Sequence, residues 1–368
     1  MTEYDAEELQ AQGEELRAEL ARVREAGDDP ERLAWLLRAW GTYCAVDGEP
    51  QLGLDAYRES AGIYRELGDE LAETGVLHDA GQLLEQMGDP EGALELLDQA
   101  LACGERAGDP DAQSVILHDR AQVLIECDRV DEAYETYRRG CELCSEHGDD
   151  GSRYAMLQAW AELYADEDEP ERAMELWREA QAIAEQYDDT VRLAEVLRAV
   201  GGLQAETERF EEARQTLERA LELARENYDS EQELALLLEL GEVQVELEDL
   251  DGAAGSFEAA RLRAVETETP GGVALAWLAL GNVSRDAEEL RTAQKRYAEA
   301  ETLFRELSDS DGLALACHRR GAVLAELGEL DSARELLTEA LKLYDALGDD
   351  LGNAVVKQAL AAVERSSP

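Results

Sequence analysis

The side chains best able to do chemistry in this 368-residue chain are its six cysteines and four histidines. Cys141-x-x-Cys144 followed by His147 has the start of a zinc set, with Cys127 the nearest further donor. All three would lie along one helix, whereas a structural zinc needs four ligands converging from different directions. A Cys141–Cys144 disulfide faces awkward geometry within a helix. The full set, with Cys44, Cys103 and Cys317, follows no disulfide framework, so the cysteines read as reduced thiols packed as small apolar residues. No Gly-rich run leads to Lys and Ser/Thr, so no loop cradles a nucleotide phosphate. With 86 acidic residues, carboxylate pairs occur everywhere and single out no acid–base dyad. The expectation is no catalytic residue, no metal, no cofactor and no enzyme.

The histidines carry more information, because three of them share a phase. Stepping by forty residues gives Arg38, His78, His118, Gln158, Arg198, Leu238, Leu278 and His318. Four residues later the row is Thr42, Gln82, Gln122, Glu162, Gly202, Glu242, Asn282 and Ala322. Four later again it turns acidic, from Gln86 and Glu126 to Glu326. Residues i, i+4 and i+8 share one helical face, so these rows predict parallel stripes. The first is nearly free of carboxylates in a very acidic chain. That composition suits binding: a basic-to-amide stripe in the N-terminal half, and an apolar one around Leu238, Leu275, Leu278 and Leu315. The same side chains could instead hydrogen-bond neighbouring repeats and be structural.

The elements that position them repeat with the same step. In Ala80–Asp109, Gly88-Asp89-Pro90 breaks an apolar-periodic segment: glycine for a left-handed helix end, aspartate for a cap, proline for a first helical position. Stepping by forty from Asp29 gives Asp69, Asp109, Asp149, Asp189, Asp229, then Thr269, Asp309 and Asp349. A small row runs Gly41, Gly81, Ala121, Ala161, Gly201, Gly241, Gly281, Gly321. The second helix supplies Gly53 and then Ala93 through Ala333, a large row from Tyr57 and Leu97 to Tyr297 and Leu337, and a third small row from Ser60 to Ala340. Small residues at a crossing let two backbones approach while the large one fills the gap beside them.

Gly/Ala, then Ala, then Tyr/Phe/Leu, then Ala at spacings of twelve, four and three resembles the tetratricopeptide repeat over nearly the whole chain. The usual period is near 34, so forty residues is more similar to the long-helix variant of kinesin light chains, polarity scaffolds and the sensor domains of some bacterial regulators. The resemblance implies an all-α, right-handed solenoid of antiparallel helix pairs, whose first helices line a concave groove for a peptide or protein partner. The carboxylate-clamp subset uses Lys and Asn pairs absent from this groove, so its specificity is not implied. The implied function is a protein-interaction scaffold, with a peptide- or ligand-sensing module acting in trans as the alternative.

The expected organisation is an N-terminal capping helix in 1–29, with Leu9, Leu16, Leu20 and Val23 on one face. Eight repeats follow over 30–349, then a C-terminal capping helix in 350–368 with a disordered tail from Ser366. The loop 266–272, with Gly271-Gly272 after Pro270, is where a bend or flexible joint in the array would fall, an ordinary turn being the alternative. No basic, apolar leader opens the sequence and no apolar run is long enough to cross a bilayer, so a cytoplasmic, soluble protein is expected. The net charge of −52, with 34 basic residues and Lys only at 295, 342 and 357, argues against nucleic acid, which needs basic clusters. It points to a halophilic source, since screening lengths shrink to about 3 Å at 1 M salt. Dialysis to low salt should therefore abolish the helical circular dichroism; full helicity there would contradict a salt-dependent fold.

Overall fold

The structure, a computed structural model, describes residues 3–366, with side chains from 11 to 365. Leu9's side chain, Ser367 and Pro368 lie outside the described residues, and Ser366 is helical. Every regular element among those residues is an α-helix. In chain order they are α1 (Glu3–Ala26), α2 (Pro30–Val46) with α3 (Pro50–Leu67), α4 (Glu70–Gln86) with α5 (Pro90–Ala107), α6 (Pro110–Glu126) with α7 (Val130–His147), and α8 (Asp150–Asp166) with α9 (Pro170–Gln186). Then come α10 (Thr190–Glu206) with α11 (Phe210–Glu226), α12 (Ser230–Glu246) with α13 (Leu250–Glu266), α14 (Pro270–Asp286) with α15 (Leu290–Leu307), α16 (Ser310–Glu326) with α17 (Leu330–Leu347), and α18 (Asp350–Ser366). From α2 onward a helix starts every twenty residues. The fold is an all-α solenoid of helix pairs.

The chain divides into two compact units, 1–180 and 181–368, the division falling in the sequence of α9. In the first, each helix from α1 to α7 packs on its successor; in the second the same holds from α10 to α17. The core is laid by the small-to-large crossing. An added Cβ at Gly41 would meet the Tyr57 ring at 2.6 Å, at Gly241 the Phe257 ring at 2.5 Å, and at Gly281 the Tyr297 ring at 2.5 Å. Ala93, Ala133, Ala213, Ala253, Ala293 and Ala333 are completely buried. Ser60, the one hydroxyl in its row, is satisfied by donating to the Ala34 carbonyl at 2.7 Å.

Helix ends follow local chemistry. Asp29, Asp69, Asp109, Asp149, Asp189, Asp229, Asp309 and Asp349 each accept the N–H three residues on, at 2.9–3.1 Å. Thr269, where the row breaks, makes no such bond. Otherwise the 266–272 seam repeats its neighbours: Glu268 is left-handed, and the Thr269 N–H donates to the Ala264 carbonyl at 2.8 Å as Asp249 does to Gln244 at 2.9 Å. The local backbone is thus that of an ordinary turn, the alternative to a bend. Gly272 has a packing reason, since an added Cβ would lie 2.9 Å from Leu234 and 3.1 Å from Ala264.

Every seam from 48 to 348 places a residue in the left-handed region, but from 128 to 308 only Gly148 is glycine; Asp128, Glu208, Tyr228 and six others take positive φ with a side chain. Each such residue costs about 1–2 kcal/mol. Glu208→Gly, at φ 59 and exposed, should therefore raise unfolding stability by about 1 kcal/mol, whereas Asp149→Ala should lower it by about 1 kcal/mol by losing a cap. Thermal unfolding of the two variants checks both signs.

Candidate functional site

The first helix of each pair presents the rows read from the sequence, and these rows meet across successive first helices. In the first unit, Arg38 on α2 donates from Nε to Asp79 on α4 at 2.6 Å and from Nη2 at 3.2 Å. One repeat on, His78 Nε2 lies 2.7 Å from Oδ2 of Asp119 on α6, and Gln82 Nε2 donates to the same oxygen at 2.8 Å. In the second unit, Arg198 on α10 pairs with Glu239 on α12 at 2.7 Å. Each carboxylate stands 41 residues after its cation, forming a rung between neighbouring first helices. Asp79, Asp119 and Glu239 were not among the residues singled out from the sequence. The signal for them was present, one residue past the row, but becomes visible only once adjacent repeats are aligned.

The remaining members of the row have no such acceptor, because the position 41 residues on is Ala159, Ala199, Ala279 or Ala359 for His118, Gln158, Leu238 and His318. The His118 ring lies tilted on Tyr137, centroids 6.2 Å apart, with a buried Nδ1 lacking a partner. Leu238 packs partly buried against the Phe257 cluster. Leu278 is 6% exposed and belongs to the Tyr297–Phe304 core, so it does not line an open surface as the apolar stripe anticipates. Four residues on, Thr42 shares a hydrogen bond with the Tyr57 hydroxyl at 2.9 Å and Asn282 accepts from Tyr297 at 2.8 Å. Gln122, Glu162 and Glu242 are exposed, and an added Cβ at Gly202 would touch nothing.

Between α2 and α4 this surface opens into a cleft of about 420 Å³, lined by Arg38, Thr42, Tyr57, Asp79, Gln82 and Gln86. Electrostatics there follow the pairing. The hydrogen bond to Asp79 raises the Arg38 pKa further. Burial pushes the Asp119 carboxyl up, but the hydrogen bond and charge of His78 and the bond from Gln82 outweigh it and hold it below its ordinary value. Protein mass around the Glu162 and Glu242 carboxyls withdraws solvent from them; with repulsion from Asp166 and Glu239 it raises both pKa values. A second cleft of about 540 Å³ lies among α5, α6 and α7. Its arginines are already engaged: Arg120 with Asp98 and Thr136, Arg138 with Glu142, Arg139 with Glu105.

The cysteines are free thiols, and only Cys127 is more than marginally accessible. Burial first, then the neighbouring sulfur, pushes Cys141 up to about 12; burial and Asp149 push Cys144 up to about 11. Neither is a thiolate near neutrality, which is the form that binds metal or attacks.

Family models identify the repeat. Those described as tetratricopeptide repeat match residues 152–226, 75–107 and 314–346. The chain carries tetratricopeptide repeats. No curated protein matches its sequence. Among solved structures it is similar to the STAND-class signal transduction ATPase with a tetratricopeptide repeat sensor from Pyrococcus horikoshii, at 13% identity and TM-score 0.62, over 92% of this chain but half of that one. The apo quorum sensor NprR from B. thuringiensis matches over 92% of this chain and 99% of its own, at 14% identity and TM-score 0.55. Apo RapI matches over 75% and 99%, at 15% identity and TM-score 0.55. At these identities the likeness shows the fold.

The wall's histidines generate a pH prediction. Burial lowers the pKa of His118, and burial with Arg319 and Arg285 lowers that of His318, so each binds its proton more readily unfolded. Their contribution to stability is fully present above about pH 6.5 and is lost as pH falls from there through the lower folded-state values. A double His118→Gln, His318→Gln variant should lose less melting temperature than the parent between pH 7.5 and 5.5; parallel curves would contradict the burial of both rings.

Proposed function

We propose that the wall of first helices binds an extended peptide or protein segment, and that the chain is an interaction scaffold with no chemistry of its own. The observation that carries this is the cleft at Arg38, Thr42 and Gln82, whose polar walls are already fixed. Asp79 holds Arg38, Tyr57 holds Thr42, and Asp119 holds both Gln82 and His78. A ligand arriving there would lose little side-chain entropy in ordering its receptor. The proposed wall comprises Arg38, His78, Gln82, His118, Gln122 and Gln158 in the first unit, and Arg198, Leu238 and His318 in the second. Leu278, enclosed in the Tyr297–Phe304 core, is not part of it. A polypeptide fits better than nucleic acid, because the arginines of the wall are mostly neutralised by the rungs and the net charge is −52. Buried neutral thiols and dense acidic charge fit a reducing, salt-rich cytoplasm.

A second reading is a sensor acting in trans. Two of the similar structures bear sensor descriptions and each extends over 92% of this chain. A sensor's melting temperature would respond to small molecules or short peptides, a scaffold's only to proteins.

Blocking the wall without disturbing the fold separates binding from structure. Gln122 is exposed and Gly202 faces open space, so Gln122→Trp and Gly202→Trp should fold normally. In a crosslinking pull-down at high salt, the two together should reduce partner capture by about tenfold or more, the scale of ~1.4 kcal/mol in binding. Unchanged capture with unchanged helicity would remove the wall as the binding surface.

A further inference from the structure

The ladder of rungs reverses at one place in the second unit. The position occupied by Asp79, Asp119 and Glu239 on other first helices is held on α16 by Arg319. The residue 41 before it, in register with Arg38, His78 and Arg198, is the buried Leu278. Arg319 consequently makes no ion pair or hydrogen bond among the described residues, and its Nε is buried without a partner. No carboxylate pairs with it: Asp286, one turn on from Asn282, is held by Arg285 at 2.9 Å, and Glu326 lies exposed two turns further along α16. In a chain with 86 acidic against 34 basic residues, an unpaired, half-buried guanidinium is chemically conspicuous, because leaving such a charge without a counter-ion is costly.

The surroundings define what would complete it. Asn282 on α14 stands to Arg319 as Gln82 stands to Asp119, a pair in direct contact at 2.8 Å. The Asn282 carbonyl is occupied by the Tyr297 hydroxyl at 2.8 Å, which leaves its amide N–H groups as donors. One turn before Arg319 is Leu315, partly buried, and at the same register on α14 is Leu275, 48% exposed. Burial together with the charges of Arg319 and Arg285 depresses the His318 pKa, so that ring adds no positive charge near neutrality. The planar guanidinium fork matches a carboxylate through two parallel hydrogen bonds, and the two leucines offer apolar contact one turn N-terminal to it.

We propose that Arg319, with the Asn282 amide and with Leu275 and Leu315 one turn before it, receives the carboxylate of an Asp or Glu side chain that neighbours aliphatic residues on the bound polypeptide. This rests on the peptide-binding reading of the wall and names the chemistry it selects. Acidic chains are repelled by the net charge at long range, but salt screens that repulsion more strongly than it screens a half-buried pair. The contact is thus compatible with salt-rich conditions.

The test uses the full chain at a salt concentration where circular dichroism shows it helical, titrated calorimetrically with N-acetyl-Leu-Leu-Glu-Leu-Leu-amide and with the same peptide carrying Gln. The Glu peptide should bind about tenfold tighter. Arg319→Gln should erase that preference, Arg319→Lys should keep only part of it, and Arg22→Gln, an exposed arginine far along the chain, should leave it intact. The free Arg319→Gln chain should melt no lower than the parent, because it loses an unpaired charge and no partner; a clear drop would mean that Arg319 is structurally engaged and would overturn the assignment. Equal affinity for the two peptides, binding of neither at millimolar concentration, or a preference surviving in Arg319→Gln would overturn it too. Loss of partner capture in the Gln122→Trp, Gly202→Trp chain without a carboxylate preference here would discard Arg319 as a receptor and leave the wall standing as a binding surface.

Discussion

The contact between a glycine or alanine in the middle of each first helix and the ring or isobutyl group sixteen residues later sets everything else. It is close enough at Gly41, Gly201, Gly241 and Gly281 that a methyl group would overlap the opposing side chain. Packing at that distance fixes how the two helices of a pair cross, and the fixed crossing places each first helix beside the next. Only then do Arg38 and Asp79, or His78 and Asp119, come within hydrogen-bonding range. The ionic ladder is thus a consequence of the apolar crossing.

Much of the ladder's value lies in order rather than in energy. Arg38 and Arg198 are about two-fifths exposed, and ion pairs in that setting contribute little to folding. What they do is immobilise long side chains on a surface otherwise free to fluctuate. The deeper charge pairs are different. Glu233 is almost completely enclosed and satisfied from two helices, by Arg225 at 2.8 Å and Arg263 at 2.5 Å. Glu301 is likewise held by Arg305 and Arg320. These sit between pairs, where a lost partner would strand a buried charge.

The seams show the same division between what a turn requires and what the chain supplies. Every seam adopts the same left-handed residue, yet most of those from 128 to 308 do so without glycine. The forty-residue step in Gly-Asp weakens there for that reason, while the fold does not. Tertiary packing on both sides of each turn holds the backbone in place of the missing conformational freedom.

The sequence alone determined the helices, their boundaries and their phase, because caps, left-handed ends and small residues act within a few positions of the chain and repeat with a constant step. It also located the stripe that became the candidate wall. The tertiary structure decided which members of that stripe are held, buried or left open: Arg38 and His78 paired, Leu278 enclosed, His118 laid against Tyr137, and, one residue past the stripe, Arg319 without a counter-charge. Those outcomes depend on which residue lies 41 positions away across a helix interface. A row read one position at a time shows what each side chain is, and only the packed neighbour shows what it meets.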